Sequence, residues 1–402
     1  MTGPAFVFNP TFLYKLHLHL LSLIAALITG ASLAYCGLCI WAAIRFASQP
    51  RTQPAPATNL PPVSILKPLK GTDPEMYESF RSHCVLDYPQ YEILFGVNHL
   101  GDPAAELVEK LRAEFPEHAI RLIVCEKVLG ANGKVSSLAQ LAAEARYDFW
   151  LVNDSDIRVE PDYLKTIVTE LQQPETGLVT CLYRGIPTST IASRLESLGI
   201  STDFAAGVLV ARQIEGGLHF GLGSTLAFRR REIEAIGGFD AIVDYLADDY
   251  ELGKRIANLG LNVTLASQTV ETFLPAYDFS TFFSHQLRWA RTIRVSRPGG
   301  YAGLLVTYTL FWAVLTVVLA HGAPWAWGLA ASAVLLRVGT ALSTGLYALR
   351  DREVLRSLWL LPVRDLLAPV VWLGGLFGRS IAWRGEKFEL EQGKLRRTDL
   401  KR

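Results

Sequence analysis

Phe149-Trp150-Leu151-Val152-Asn153-Asp154-Ser155-Asp156 is an apolar run of strand length that stops on four polar residues, with two carboxylates two positions apart. Comparable short apolar runs stand at 63–66, 91–97, 119–124 and 177–182, and helical patterns fill the intervals near 74–86, 103–114, 135–146 and 161–172. This alternation predicts right-handed βαβ units, hence an α/β domain on a mainly parallel sheet flanked by helices. Such sheets bind ligands beyond the carboxyl ends of their strands, so the residues just after each run are the candidate site.

Two strand ends carry unusual polar residues. One is Asn98-His99-Leu100-Gly101-Asp102-Pro103 and the other is Asn153-Asp154-Ser155-Asp156. The Asp-x-Asp spacing lets Asp154 and Asp156 face one hard divalent cation, Mg²⁺ or Mn²⁺, whose remaining positions suit diphosphate oxygens; a solvated turn is the plainer alternative. Downstream, Leu246-Ala247-Asp248-Asp249-Tyr250-Glu251 opens a helical pattern, where acidic residues also suit the helix dipole. The apolar neighbours Tyr245, Leu246 and Tyr250 could hold Asp249, or its competitor Asp248, partly dry as a general base. Ser284-His285-Gln286-Leu287-Arg288-Trp289 then begins a helix whose Arg288, Arg291, Arg294 and Arg297 share a cationic face, fit for phosphate, lipid headgroups or plain solvent.

The 250 residues of this domain sit between segments of another character. Half of the 402 residues are apolar and 19% are charged, with 39 Lys and Arg against 38 Asp and Glu, which excludes a uniformly basic nucleic-acid binder. The near-neutral total hides opposed regions. Residues 48–297 carry 24 basic and 31 acidic residues, while the flanks are net positive. Residues 16–44 hold no Lys, Arg, Asp or Glu, and at about 1.5 Å per residue they exceed a hydrocarbon core of roughly 30 Å. A signal-peptide core of about 7–15 residues is much shorter. A second uncharged run, 298–336, is interrupted by Ala320-His321-Gly322-Ala323-Pro324 and should split into two antiparallel spans, the second reaching about Ala348. That span carries Arg337, expected to snorkel or to touch an anionic lipid. Residues 366–378 contain Pro369 and are expected to lie in the interface or re-enter.

Arg45 and Arg51 after the first span and Arg350, Arg352 and Arg356 after the third put both places in the cytoplasm. The expected layout is a multi-pass protein of the inner (cytoplasmic) membrane: 1–47 an N-terminal transmembrane helix, 48–62 a Pro-rich linker, 63–297 a cytoplasmic catalytic domain, 298–383 two spans plus an interfacial or re-entrant helix, and 384–402 a basic tail. Residues 189–215 are mildly amphipathic and read as a lid on the membrane or a buried connecting helix. Cys36 and Cys39 make one CxxC inside an apolar run with no second pair, and the five cysteines read as reduced structural thiols. Gly130-Ala131-Asn132-Gly133-Lys134-Val135 lacks the spacing and the Ser or Thr of a phosphate loop, and no GxGxxG follows the first strand.

Taken in order, these residues resemble the membrane-bound GT-A glycosyltransferases, specifically the ceramide glucosyltransferase family and its bacterial relatives associated with hopanoid lipid biosynthesis. The resemblance runs over about residues 60–297 and both membrane flanks, through Val63-Ser64-Ile65-Leu66-Lys67-Pro68-Leu69-Lys70-Gly71, Leu86-Asp87-Tyr88-Pro89, Asp102, Asp154, Asp249 and the segment from Phe220 to Phe239. The family's [Gln/Arg]-x-x-Arg-Trp signature falls on His285, Arg288 and Trp289, with histidine a departure. Asp154-Ser155-Asp156-Ile157-Arg158 and Leu287-Arg288-Trp289-Ala290-Arg291 lean toward the hopanoid-associated group. The resemblance implies a GT-A fold and inverting transfer of a hexose or N-acetylhexosamine from a UDP-sugar donor to the hydroxyl of a lipid acceptor at the bilayer, with no nucleic acid involved. Asp249 would be the base, Asp154 and Asp156 the metal ligands, and Asp102, Lys134, Asp154, His285, Arg288 and Trp289 the nucleotide-sugar contacts. A processive polysaccharide synthase would need more spanning helices, and a non-catalytic scaffold would not need all three acidic positions.

Overall fold

In the computed structural model, residues 10–50, 52, 55–383 and 385–398 are described. Ile65, Leu66, Ile93, Leu94, Phe95 and Leu151 are fully buried, as in strands covered on both faces. They belong to β1 (Val63–Pro68), β2 (Tyr91–Val97) and β4 (Phe149–Val152), which with β3 (Ala119–Val124) form a parallel β3-β2-β1-β4 array. The helices Met76–Cys84, Pro103–Glu114 and Gly133–Glu144 make the crossovers. Beyond β4 the sheet departs from the simple alternation. β5 (Ile157–Arg158), β6 (Thr176–Ile186), β7 (Leu226–Arg229) and β8 (Asn262–Phe273) extend it to eight strands in the order β3-β2-β1-β4-β7-β6-β8-β5. β7 runs antiparallel between β4 and β6, and so brings the segment that precedes it, 220–225, to the carboxyl end of β4.

The membrane-facing part rests on the helix Pro10–Ala47, whose Leu16, Leu20, Leu23 and Leu27 are exposed. Among the described residues two helices are long and apolar enough to cross a membrane, Leu16–Ala47 and Pro324–Ala348, with a third only if Pro298–Thr307 and Thr309–Leu319, bent by 56°, count as one. The expected straight first half of the 298–336 run is thus broken; Gly299, Gly300 and Gly303 weaken the helix before the bend. Helices here are joined by small polar side chains: Thr29 Oγ1 lies 2.9 Å from Thr316 Oγ1 and Cys36 Sγ 3.2 Å from Thr309 Oγ1. All five cysteines are buried and free.

Three expectations need correction. Arg337 neither snorkels nor reaches lipid. It is buried and its Nε donates to both Asp365 oxygens at 3.0 Å, while Nη2 pairs with Asp203, because a cation at that depth needs a carboxylate partner. The cationic face after Arg288 is likewise engaged with protein: Arg291 donates to Ser380 O at 2.6 Å, Arg294 to Gly378 O at 3.0 Å and to Leu376 O, and Arg297 pairs with Glu215. Leu376 closes the helix Leu361–Leu376, so Arg294 satisfies carbonyls at a helix C-terminus. Finally, where a basic tail was expected, β9 (Ser380–Trp383), β10 (Glu386–Glu391) and β11 (Lys394–Arg397) form an antiparallel sheet of their own. Residues 1–9 of the N-terminal segment, Arg51 and residues 53–54 of the Pro-rich linker, and 384 and 399–402 of the tail lie outside the described residues. The 189–215 stretch folds as Ile191–Gly199 and Ala205–Ile214; Ala192, Leu195 and Leu198 pack with Phe282, Ala341 and Leu361, and Ala205, Ala206 and Leu209 share a core with Cys39, Ala42 and Phe46.

Candidate active site

The turn after β4 is held from below by buried polar groups. Asn153 is fully buried; its Nδ2 donates to Ser224 O at 2.6 Å and to the Tyr163 hydroxyl at 3.0 Å, and its Oδ1 lies 3.3 Å from His83 Nε2. Lys67, also fully buried, donates from Nζ to the Asp154 carbonyl at 3.1 Å, and burial pulls its ammonium down to about 7 against the pull of Asp156 and Asp154. Neither was legible as a site residue, since Lys67 reads as part of a strand motif and Asn153 as the end of a run. Asp156 Oδ2 accepts from Thr272 Oγ1 at 2.5 Å, and Ser155 Oγ donates to Asp73. Burial first, then Asp154 and Asp73, push the Asp156 carboxyl up to about 6.

The second acidic pair comes from the amino end of the helix Asp248–Asn258. That helix abuts the 220–223 segment so closely that a Cβ on Gly253 would fall 2.1 Å from Gly221 N. Asp249 Oδ2 accepts from Gly223 N at 2.8 Å and Oδ1 from Tyr250 N at 2.7 Å. A Cβ on Gly223 would stand 3.1 Å from Asp154 Oδ2, 3.3 Å from Asp249 Oδ2 and 3.8 Å from Lys134 Nζ, so these three side chains converge on one glycine. Lys134 Nζ bridges Asp154 at 2.8 Å and Asp248 at 3.2 Å. Burial opposes its charge, but Asp154, Asp248 and Asp249 hold the ammonium well above its usual range. Burial and then Asp248 push the Asp249 carboxyl up to about 6, with Lys134 opposing.

His285, Arg288 and Trp289 lie on the helix Phe279–Ser296 and line the same cavity as the carboxylates. His285 Nδ1 lies 3.2 Å from Glu196 Oε1, and its ring stacks on Tyr277 at 5.7 Å; Trp289 meets Phe204 edge-on at 5.6 Å. Asp102 stands apart. It does not line the cavity, and its carboxylate accepts from Gly71 N at 3.0 Å and from Ala104 N at 2.9 Å, capping the helix Pro103–Glu114 and tying down the turn after β1. At the neighbouring strand end Asn98 lines the cavity instead.

Among the described residues no group of three or more His, Cys, Asp or Glu is arranged to hold a metal. Two carboxylates with open positions nevertheless match a hard cation shared with a substrate diphosphate, which takes one or two protein carboxylates. Asp73, Asp154, Asp156, Asp248 and Asp249 outnumber Lys67 and Lys134, an acidic excess that a bound cation would offset. The donor chemistry of Asp154 and Asp156 therefore fits Mg²⁺ or Mn²⁺.

The cavity, about 1290 Å³, is continuous. One end is lined by Lys134, Asp154, Asp156 and Asp249, and the other by Tyr35, Cys39, Tyr301, Tyr308 and Arg337 from the apolar helices.

Comparison with known proteins agrees with this architecture. A mannosyltransferase of Pyrobaculum calidifontis, solved with GDP-mannose and Mn²⁺, superposes with a TM-score of 0.53 at 21% identity over 88% of this chain and 99% of its own, which shows a shared GT-A fold. Ceramide glucosyltransferases 3 and 1 of Caenorhabditis elegans are 24% and 23% identical, over 84% and 85% of this chain and 74% of each relative. The model of glycosyl transferase family 21 matches residues 22–396, nearly the whole chain. With a GT-A sheet, a carboxylate-lined cavity at its strand ends and that match, the chain is a glycosyltransferase belonging to glycosyl transferase family 21.

Proposed function

We propose that this enzyme transfers a hexose or N-acetylhexosamine from a UDP-sugar to the hydroxyl of a membrane lipid, with inversion at the anomeric carbon. The observation that carries the reading is the single cavity joining the carboxylates to the apolar helices, since a soluble donor and a lipid acceptor have to meet in one space. The ceramide glucosyltransferase relatives support a lipid acceptor. The donor enters at the strand ends and the acceptor from the membrane side. The apolar helices and the positive flanks support a catalytic domain on the cytoplasmic face of the inner membrane.

In the chemical step the lipid oxygen attacks the anomeric carbon, its proton passes to Asp249, and the bond from that carbon to the UDP oxygen breaks as UDP leaves. A carboxyl held near 6 is a base matched to neutral pH. The Gly223 and Tyr250 amides orient it. Asp248, engaged by Lys134, is the weaker candidate. Asp154 and Asp156 are the residues that would hold a divalent cation, which when bound would supply positive charge to offset that of the diphosphate. Arg288 and Trp289 cover the diphosphate, Lys134 adds a cation beside it, and His285 donates from the same helix. Asp102 contributes indirectly, by fixing the turn at Gly71.

The test is UDP release by membranes containing the protein, supplied with UDP-glucose, UDP-galactose or UDP-N-acetylglucosamine and with ceramide or a polyhydroxylated hopanoid. Turnover should need both donor and lipid, and Asp249→Asn should abolish it with the fold intact. Near-normal turnover in Asp249→Asn would remove the base assignment, and UDP release unchanged by any lipid would remove the acceptor reading.

A further inference from the structure

The three strands at the end of the chain are attached to the loops that carry the acidic pair and Lys134. Leu246 N donates to Gly393 O at 3.1 Å and Leu395 N to Asp244 O at 2.7 Å, and Tyr245 forms an antiparallel bridge with Lys394. These bonds lie two to four residues before Asp248. The same 244–246 segment holds the loop ahead of Lys134: Ala131 N donates to Asp244 Oδ1 at 2.9 Å and Asn132 Nδ2 to Tyr245 O at 2.8 Å. Leu246, Ile381, Phe388, Leu390 and Leu395 form a small apolar core that fixes the sheet there. On its other side Lys70, just after β1, pairs with Glu386 at 2.6 Å. The sheet is therefore pinned over the carboxyl end of the β-sheet, between the loop after β1 and the 244–246 segment.

Trp383, Glu386, Phe388 and Arg397 of this sheet line the cavity. Trp383 is half-buried, and Arg397 pairs loosely with Glu386 at 3.6 Å while 41% of its side chain stays accessible. An aromatic face and a planar cation at the donor end match a base and a phosphate chain. We propose that the C-terminal sheet is the outer wall of the nucleotide site, Trp383 receiving the base and Arg397 the diphosphate of the donor. The proposal rests on the UDP-sugar reading above and adds residues from outside the α/β domain to it. It also means that donor binding bears on the 244–246 segment, and through it on the placement of Asp248 and Asp249.

Isothermal titration of the detergent-solubilised full chain with UDP and Mg²⁺ tests it, with donor and acceptor KM measured alongside. Trp383→Ala and Arg397→Ala should each weaken UDP binding about tenfold and raise donor KM alike, leaving acceptor KM within about twofold. Trp383→Phe and Arg397→Lys should recover most of the loss. Arg396→Ala, on the same strand but outside the cavity, should behave as the parent. Should Trp383→Ala lose its thermal transition, Arg397→Ala, on an exposed position, decides. UDP binding unchanged in Arg397→Ala and in any folded Trp383→Ala overturns the proposal, whereas a parent protein that turns over no UDP-sugar and binds no UDP removes the donor reading itself.

Discussion

Two charge clusters occupy the two ends of one cavity, and they are built differently. At the membrane end Arg337 and Arg364 meet Asp365 and Asp203, two cations against two carboxylates, with bonds of 3.0 Å from Arg337 Nε to Asp365 and from Arg364 Nε to Asp203. At the strand ends Asp154, Asp156, Asp248 and Asp249 face Lys134 and Lys67, and two of the carboxyls are pushed up to about 6. The first cluster is balanced and serves architecture, joining an apolar helix to the segment between Ile191–Gly199 and Ala205–Ile214. The second has more carboxylates than cations, an excess that costs stability and is retained where a cation, a proton and a diphosphate must come and go.

The largest effects should separate the clusters most sharply. Asp154→Asn should lower turnover by about 10³-fold or more, as expected when charge neutralisation of a leaving group is lost, with a thermal midpoint at or above the parent's. Arg337→Leu should do the reverse, removing about 3–5 kcal/mol of stability by stranding Asp365, with part of it restored in the Arg337→Leu, Asp365→Leu double variant. Thermal unfolding in detergent and turnover of the folded fraction distinguish them, and equal loss of stability in both would erase the contrast.

A smaller effect concerns pH. Asp249 acts as the carboxylate, so kcat/KM should climb as pH rises through about 6 and level off above it. Asp248→Asn removes a like-charged neighbour and should move that limb to lower pH. An acid limb that does not move in Asp248→Asn breaks the link between the acidic excess and the base. Smallest of all, Asp102→Ala should cost about 1 kcal/mol, the loss of an N-cap, with donor KM changed only a few-fold. A hundredfold rise in donor KM would instead put Asp102 at the nucleotide.

The contrast also marks what a sequence can disclose. Strands β1, β2, β4 and the core of β6 were legible because strands buried on both faces are near-continuous apolar runs, the edge strand β3 because it is a short β-branched run, and Asp154, Asp156 and Asp249 because acids at strand and helix ends are conspicuous. β7 was hidden by having four residues, and β8 by its many polar positions, Asn262-Val263-Thr264-Leu265-Ala266-Ser267-Gln268-Thr269. The Arg337–Asp365 pair joins residues 28 apart that no local pattern connects. Lys67 reaches the Asp154 carbonyl only because β1 pairs with β4, and Gly223 meets Asp249 only because β7 places 220–225 beside β4. The C-terminal hairpin did carry a signal: Phe388 and Leu390 alternate with charges before Gln392-Gly393, both at positive φ as a tight hairpin turn requires. Net positive charge masked it as a tail.

The central claim is that one cavity brings a nucleotide-bound sugar and a membrane lipid together at Asp249. Mass spectrometry of total lipids from a host making the parent protein or Asp249→Asn tests it most directly. A lipid heavier by one hexose or N-acetylhexosamine is expected in the parent alone, with equal protein in both membranes. The same glycolipid at equal abundance in the Asp249→Asn host, or no new glycolipid from a parent that releases UDP, would contradict it.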